Sequence, residues 1–113
     1  MITFQKEDMT DWIDFSLLNV NAEKGVTIIP EYLTKHLKCE VINHSDFVID
    51  FVLDLKRDGI IFRYIYEEGY DFFDFRAPNN KLESPEYYAK LEKIVQELVD
   101  ALNRDNHILN IAK

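Results

Sequence analysis

Cysteine, glycine and proline are all scarce in this chain, and each scarcity excludes something. Cys39 is the one cysteine among 113 residues. An intramolecular disulfide is therefore impossible, and metal clusters that need several thiolates are ruled out. Three glycines and three prolines, beside 47% hydrophobic residues, speak against a disordered or linker-like polypeptide. No apolar run approaches the ~20 residues of a membrane span, and the first residues lack a basic stretch leading into an apolar one. Positive charge is also short. Thirteen Lys and Arg stand against twenty-one Asp and Glu, a formal net charge of −8. A field of that sign repels phosphate backbones, so direct nucleic-acid binding is not expected, whereas a protein partner with a basic surface is compatible. These features describe a single globular domain spanning 1–113, soluble, cytoplasmic and away from membranes.

What the chain does have is concentrated between Asp46 and Arg76. Asp58-Gly59 and Glu68-Gly69 punctuate runs rich in Val, Ile, Tyr and Phe, and so predict a three-stranded antiparallel meander over about 46–76. Two-residue loops at both turns pair Arg57 with Ile60, Leu55 with Phe62, Leu53 with Tyr64 and Phe51 with Tyr66. On the second hairpin they pair Tyr66 with Asp71, Tyr64 with Phe73 and Phe62 with Phe75. One face then carries Ile49, Phe51, Leu53, Leu55, Phe62, Tyr64, Phe73 and Phe75, a core face. The other carries Val48, Asp50, Val52, Asp54, Lys56, Ile61, Arg63, Ile65, Phe72, Asp74 and Arg76. In this register Arg63 lies between Asp54 and Asp74, where opposite charges across a ladder contribute about 0.2–1 kcal/mol each.

The flanks predict helices. Met9, Trp12, Ile13, Leu17 and Val20 recur at helical spacing, with Asp8 or Thr10 as cap and Gly25 as stop. Ile13, Phe15 and Leu17 alternate as in a strand, and that reading of 8–24 competes. Residues 26–29 allow a fourth edge strand, and Pro30 suits the first position of a short helix carrying Leu33 and Leu37. Ser84-Pro85-Glu86 is a helix start, and Tyr87, Leu91, Ile94, Val95, Leu98 and Leu102 stripe one side of a long helix over about 85–104. The expected fold is α+β: the meander, packed by this C-terminal helix and by one or two N-terminal helices.

Catalytic chemistry finds little support. His36, Cys39 and His44 match no standard zinc spacing. Cys39 at the end of a helix has the wrong dipole sign for a reactive thiolate. Asp54 and Asp74 beside Arg63 suit a salt ladder better than acid–base work, because the cation keeps both ionised. The aromatic residues lack the basic groove of a base-stacking platform. No catalytic residue, metal ligand or cofactor is assigned, and the chain reads as a binding protein rather than an enzyme.

Two surfaces remain. The half-apolar sheet face of Val48, Val52, Asp54, Ile61, Arg63, Ile65, Phe72 and Asp74 is a candidate interaction face for a protein partner or a second copy, unless the first helix covers it. Its acidic rim adds Asp50, Glu67, Glu68 and Asp71. A cleft at Tyr64, Tyr66 and Asp71, between the helices and the aromatic face, is the alternative, for a small ligand or a small enzyme. Mimicry of nucleic acid by the acidic rim is a third reading.

Overall fold

The computed structural model describes residues 1–46, 50–79 and 81–113, with the backbone alone at Asp46. Six strands form one antiparallel sheet: β1 (Thr3–Asp8), β2 (Ile13–Leu18), β3 (Glu40–Asp46), β4 (Asp50–Arg57), β5 (Ile60–Glu67) and β6 (Phe72–Arg76). Their order across the sheet is β1-β2-β6-β5-β4-β3. Helix α1 (Ala22–Glu31) continues into a π-helical turn (Tyr32–His36), and helix α2 (Pro85–Leu109) closes the chain. The fold is α+β, as expected, but the meander of three strands undercounts the sheet.

Three expectations are corrected here. Residues 8–24 do not form one helix: β1 and β2 form a hairpin, α1 begins only at Ala22, and the alternation of Ile13, Phe15 and Leu17 wins over the helical spacing. Phe15 and Leu17 face the core, while Met9 and Trp12 of the apparent stripe are exposed. Residues 26–29 are not an edge strand. They lie inside α1, which is capped by Asn21 accepting from the Lys24 amide. Gly25, Ile29 and Leu33 recur every fourth residue and all are buried, so packing overrides the strand preference of the β-branched run. Gly25 therefore lies in the first turn of α1 and stops no helix. Pro30, finally, sits near the end of α1 rather than at its start. It withholds one helical N–H, and the next turn is wider, with the Leu37 amide bonded to the Tyr32 carbonyl.

Between β4 and β5, Asp58 and Gly59 both take positive φ, and the pairing from Arg57–Ile60 to Phe51–Tyr66 follows the expected register. The second hairpin differs. Its loop has four residues, 68–71, with Gly69 and Asp71 taking the positive φ values. Glu68 tolerates that conformation poorly, so the chain extends the loop until glycine and aspartate occupy the strained positions. Tyr66 thus pairs with Phe73, and Tyr64 with Phe75. A slip of two residues keeps every side chain on its expected face.

Both helices cover the same side of the sheet. Phe15, Leu55, Phe62, Tyr64, Phe73 and Phe75 are fully buried there, beneath Ile29 and Leu33 of the first helical segment and Leu91, Ile94, Leu98 and Leu102 of α2. Ser84 caps α2 by accepting from the Tyr87 amide, with Pro85 next to it as expected. The helix runs five residues past Arg104 because Asn110, in the left-handed conformation, ends it at Leu109. The termini are pinned. Asn103 exchanges two hydrogen bonds with the Ile2 backbone, each 2.8 Å. Asn106 accepts from the amides of Ile111 and Ala112. Among the described residues, no helix is long and apolar enough to cross a membrane.

Candidate functional site

Alternation along each strand leaves a second sheet face turned away from the helices. Two transverse rows occupy its middle. The first runs Glu7, Asp14, Arg76, Arg63, Asp54, Asn43, and the second Gln5, Ser16, Asp74, Ile65, Val52, Ser45. Beyond the second row lie Phe72, Glu67 and Asp50, neighbours across β6, β5 and β4. Leu18 on β2 and Ile61 on β5 belong to the same face. Leu18, Ile61 and Phe72 are exposed, and Val52 and Ile65 half-buried. Among the described residues no helix packs on this face. The first helical segment lies on the opposite side, where the Tyr32 hydroxyl donates to Asp105 of α2 over 2.6 Å.

Val52, Asp54, Ile61, Arg63, Ile65, Phe72 and Asp74 are thus together on one face, and Val48 lies outside the described residues. The expected ladder of Asp54, Arg63 and Asp74 is not formed as such. The longer second loop brings Arg76, not Asp74, opposite Arg63. Arg63 instead makes a two-pronged contact with Asp54, Nε to Oδ1 at 2.8 Å and an Nη to Oδ2 at 3.1 Å. Arg76 donates to Asp74 Oδ2 at 2.7 Å and stands 3.6 Å from Asp14 Oδ2. The Ser16 hydroxyl donates to the other Asp74 oxygen. Asp14, Asp54 and Asp74 are all buried.

The carboxyls differ in their chemistry. Burial first, and the Asp74 charge second, push Asp14 up to about 6, against the opposing influence of Trp12 and Arg76. Asp14 Oδ1 and Arg76 Nε are buried without hydrogen-bond partners. The sequence does not bring Asp14, Ser16 and Trp12 together with Arg76, because 8–24 reads first as a helix. The signal was the alternation Asp14-Phe15-Ser16-Leu17, which puts Asp14 and Ser16 on a polar side.

The two-pronged contact makes Arg63→Ala a test of the row. Asp54 is left buried with both oxygens short of donors, at an expected cost of about 1–2 kcal/mol. Urea unfolding measures it, and an unchanged midpoint refutes the pairing.

The candidate cleft residues are dispersed. Tyr64 is fully buried, its ring 5.3 Å from that of Phe75 and its hydroxyl without a partner. Tyr66 stacks obliquely on Phe73 at 4.9 Å. Asp71 is exposed in the turn, where with Leu17, Val20, Tyr70, Phe72 and Lys113 it lines a cavity of about 210 Å³. Another cavity, about 380 Å³, opens where β2 and β6 diverge, between Trp12, Ile13, Arg76, Ala77 and Tyr88. Its charged walls are Asp11, Lys81 and Arg76, and Arg76 is already paired with Asp74.

Cys39 is buried, and burial raises its thiol to about 11, far from a thiolate at neutral pH. His36 stacks on Tyr32 with ring centres 4.1 Å apart, and His44 rests against Phe51 at 4.9 Å. Among the described residues no three His, Cys, Asp or Glu side chains gather as a metal site.

No family model matches this chain, and neither the curated proteins nor the solved structures hold a match.

Proposed function

We propose that this chain is a protein-binding module that docks its partner on the sheet face opposite the helices. The observation that supports this reading is the composition of that face. Leu18, Val52, Ile61, Ile65 and Phe72 interleave with charges on a side of the sheet that no helix of the described residues covers. A solvated antiparallel face alternates to polar residues. Apolar positions on neighbouring strands, exposed or half-buried and interrupted by charge, are what a protein interface uses. The charges in its middle are already paired with one another, through Arg63–Asp54 and Arg76–Asp74, so docking over them leaves few ions to be satisfied by the partner.

A photo-reactive amino acid placed singly at Ile61, Ile65 or Phe72, with Lys93 on the outward side of α2 as control, tests this in cells of the protein's own source. The expected result is one discrete adduct from the sheet positions and none from Lys93. A second copy of the chain as the adduct makes the module a self-associating one. Equal labelling from both sides of the molecule, or none, defeats the reading.

A further inference from the structure

The face carries a feature that costs stability. Asp50 and Glu67 stand directly opposite each other across β4 and β5. Like charges so placed repel, and among the described residues no cation lies within ion-pair distance of either. Phe72 is the next residue in the same row, across from Glu67. Its ring lies nearly parallel to that of Tyr70, centres 6.2 Å apart and planes 11° from one another. Both rings are exposed, Tyr70 by 70% and Phe72 by 47%. Glu68 and Asp71 are in the loop that carries Tyr70. Two open aromatic rings next to unpaired carboxylates are the surroundings in which a guanidinium or ammonium group binds, by its charge to the carboxylates and over the ring faces to the π-electrons.

From this we infer that the partner presents a basic polypeptide segment, with an Arg or Lys side chain seated between Tyr70 and Phe72 and the Asp50–Glu67 pair. The inference rests on the docking face proposed above and adds the partner's chemistry. Charge decides among the occupants. Carboxylates outnumber cations on this face, and the whole chain carries −8. A second copy brings the same acidic pair, and a nucleic acid brings more negative charge, so both are repelled. A free organic cation satisfies the acidic end but leaves the adjoining strip of Phe72, Ile65 and Val52 open. A polypeptide with basic and apolar side chains in alternation engages both.

The test is a titration of the isotope-labelled protein, followed by amide NMR, with a short peptide alternating Arg and Val and with its counterpart alternating Glu and Val. The Arg peptide is expected to shift amides of Asp50–Val52, Ile65–Glu67 and Phe72, and to leave the outward side of α2 around Glu92 and Gln96 unmoved. Tyr70→Ala with Phe72→Ala is expected to weaken it about tenfold. Both rings are exposed, so the fold is retained, and the unperturbed amides of the helices verify this. Equal affinity in the double variant, or shifts spread over the acidic side of α2, overturns the inference. If the Glu peptide binds the strip in its place, the cationic anchor is wrong and the docking face stands. If neither peptide touches the strip, the inference falls, and the crosslinking result then decides the docking face separately.

Discussion

Replacing Arg76 by Ala is expected to cost about 3 kcal/mol of stability near pH 8 and distinctly less near pH 5. Arg76 is the cation beside two buried carboxylates. It donates to Asp74 and lies within 4 Å of Asp14. Without it, two like charges face each other with only the Ser16 hydroxyl donating to Asp74. The pH dependence follows from Asp14. Its carboxyl is raised to about 6 in the fold, from 3.8 when unfolded. The folded state therefore holds a proton more tightly, and its contribution is fully present below pH 3.8 and lost as pH rises through 6. At pH 5 a protonated Asp14 relieves the repulsion, and the missing guanidinium matters less. At pH 8 both carboxylates are charged, with no guanidinium between them. Asp14→Asn reports on the same balance with the opposite sign. It removes the costly ionisation and is expected to add about 1 kcal/mol at pH 8, a value reduced by solvent screening, and to flatten stability between pH 4 and 6. Urea unfolding of the three proteins at pH 5 and pH 8 checks all of this. An Arg76→Ala cost that is small and equal at the two pH values refutes the cluster.

The sequence was most legible where turn chemistry and alternation agreed. Asp58-Gly59 set the β4–β5 register, and that pairing carries Arg63 to Asp54. Glu68-Gly69 had glycine at one position only. The strain of Glu68 at positive φ was recognisable, but its resolution, a four-residue loop closed by Asp71, was not a local property. The faces survived because the slip was even, and the Arg63–Asp54 pair survived with its hairpin, but the Arg63–Asp74 pairing did not, because it depends on the row as well as the face. The N-terminal hairpin was hidden by coincidence. Met9, Trp12, Ile13, Leu17 and Val20 fit a helical stripe, yet Met9 and Trp12 belong to a turn and its edge. Likewise Val26, Ile28 and Ile29 favour a strand in isolation, and α1 forms there because Gly25 lets it approach the sheet. The candidate face was visible as a composition. The Asp14–Asp74–Arg76 cluster within it needed β2 beside β6, a pairing of residues about sixty positions apart that nothing in either segment announces.

Gly25 is where that approach is closest, and Gly25→Ala is expected to destabilise the protein by about 1–3 kcal/mol. The direction is opposite to the usual one. In an exposed helix interior, alanine in place of glycine is favourable by about 1 kcal/mol. Here a Cβ would lie 2.7 Å from Val20 Cγ1 and 2.9 Å from Phe73 Cζ. Neither atom has an easy retreat. Phe73 is fully buried with its ring against Tyr66, and Val20 is anchored by its backbone bridge to Ala112. The added methyl must push α1 off the sheet or force both side chains from their positions, and the helix gain offsets only part of that. Val20→Ala in the same chain removes one of the two obstacles, so the double variant is expected to lose less than the sum of the single changes. Chemical denaturation of the set gives the coupling. A Gly25→Ala protein more stable than the parent would mean that α1 does not sit against Phe73, and the placement of both helices on one side of the sheet, which leaves the other side free for a partner, would lose its closest contact.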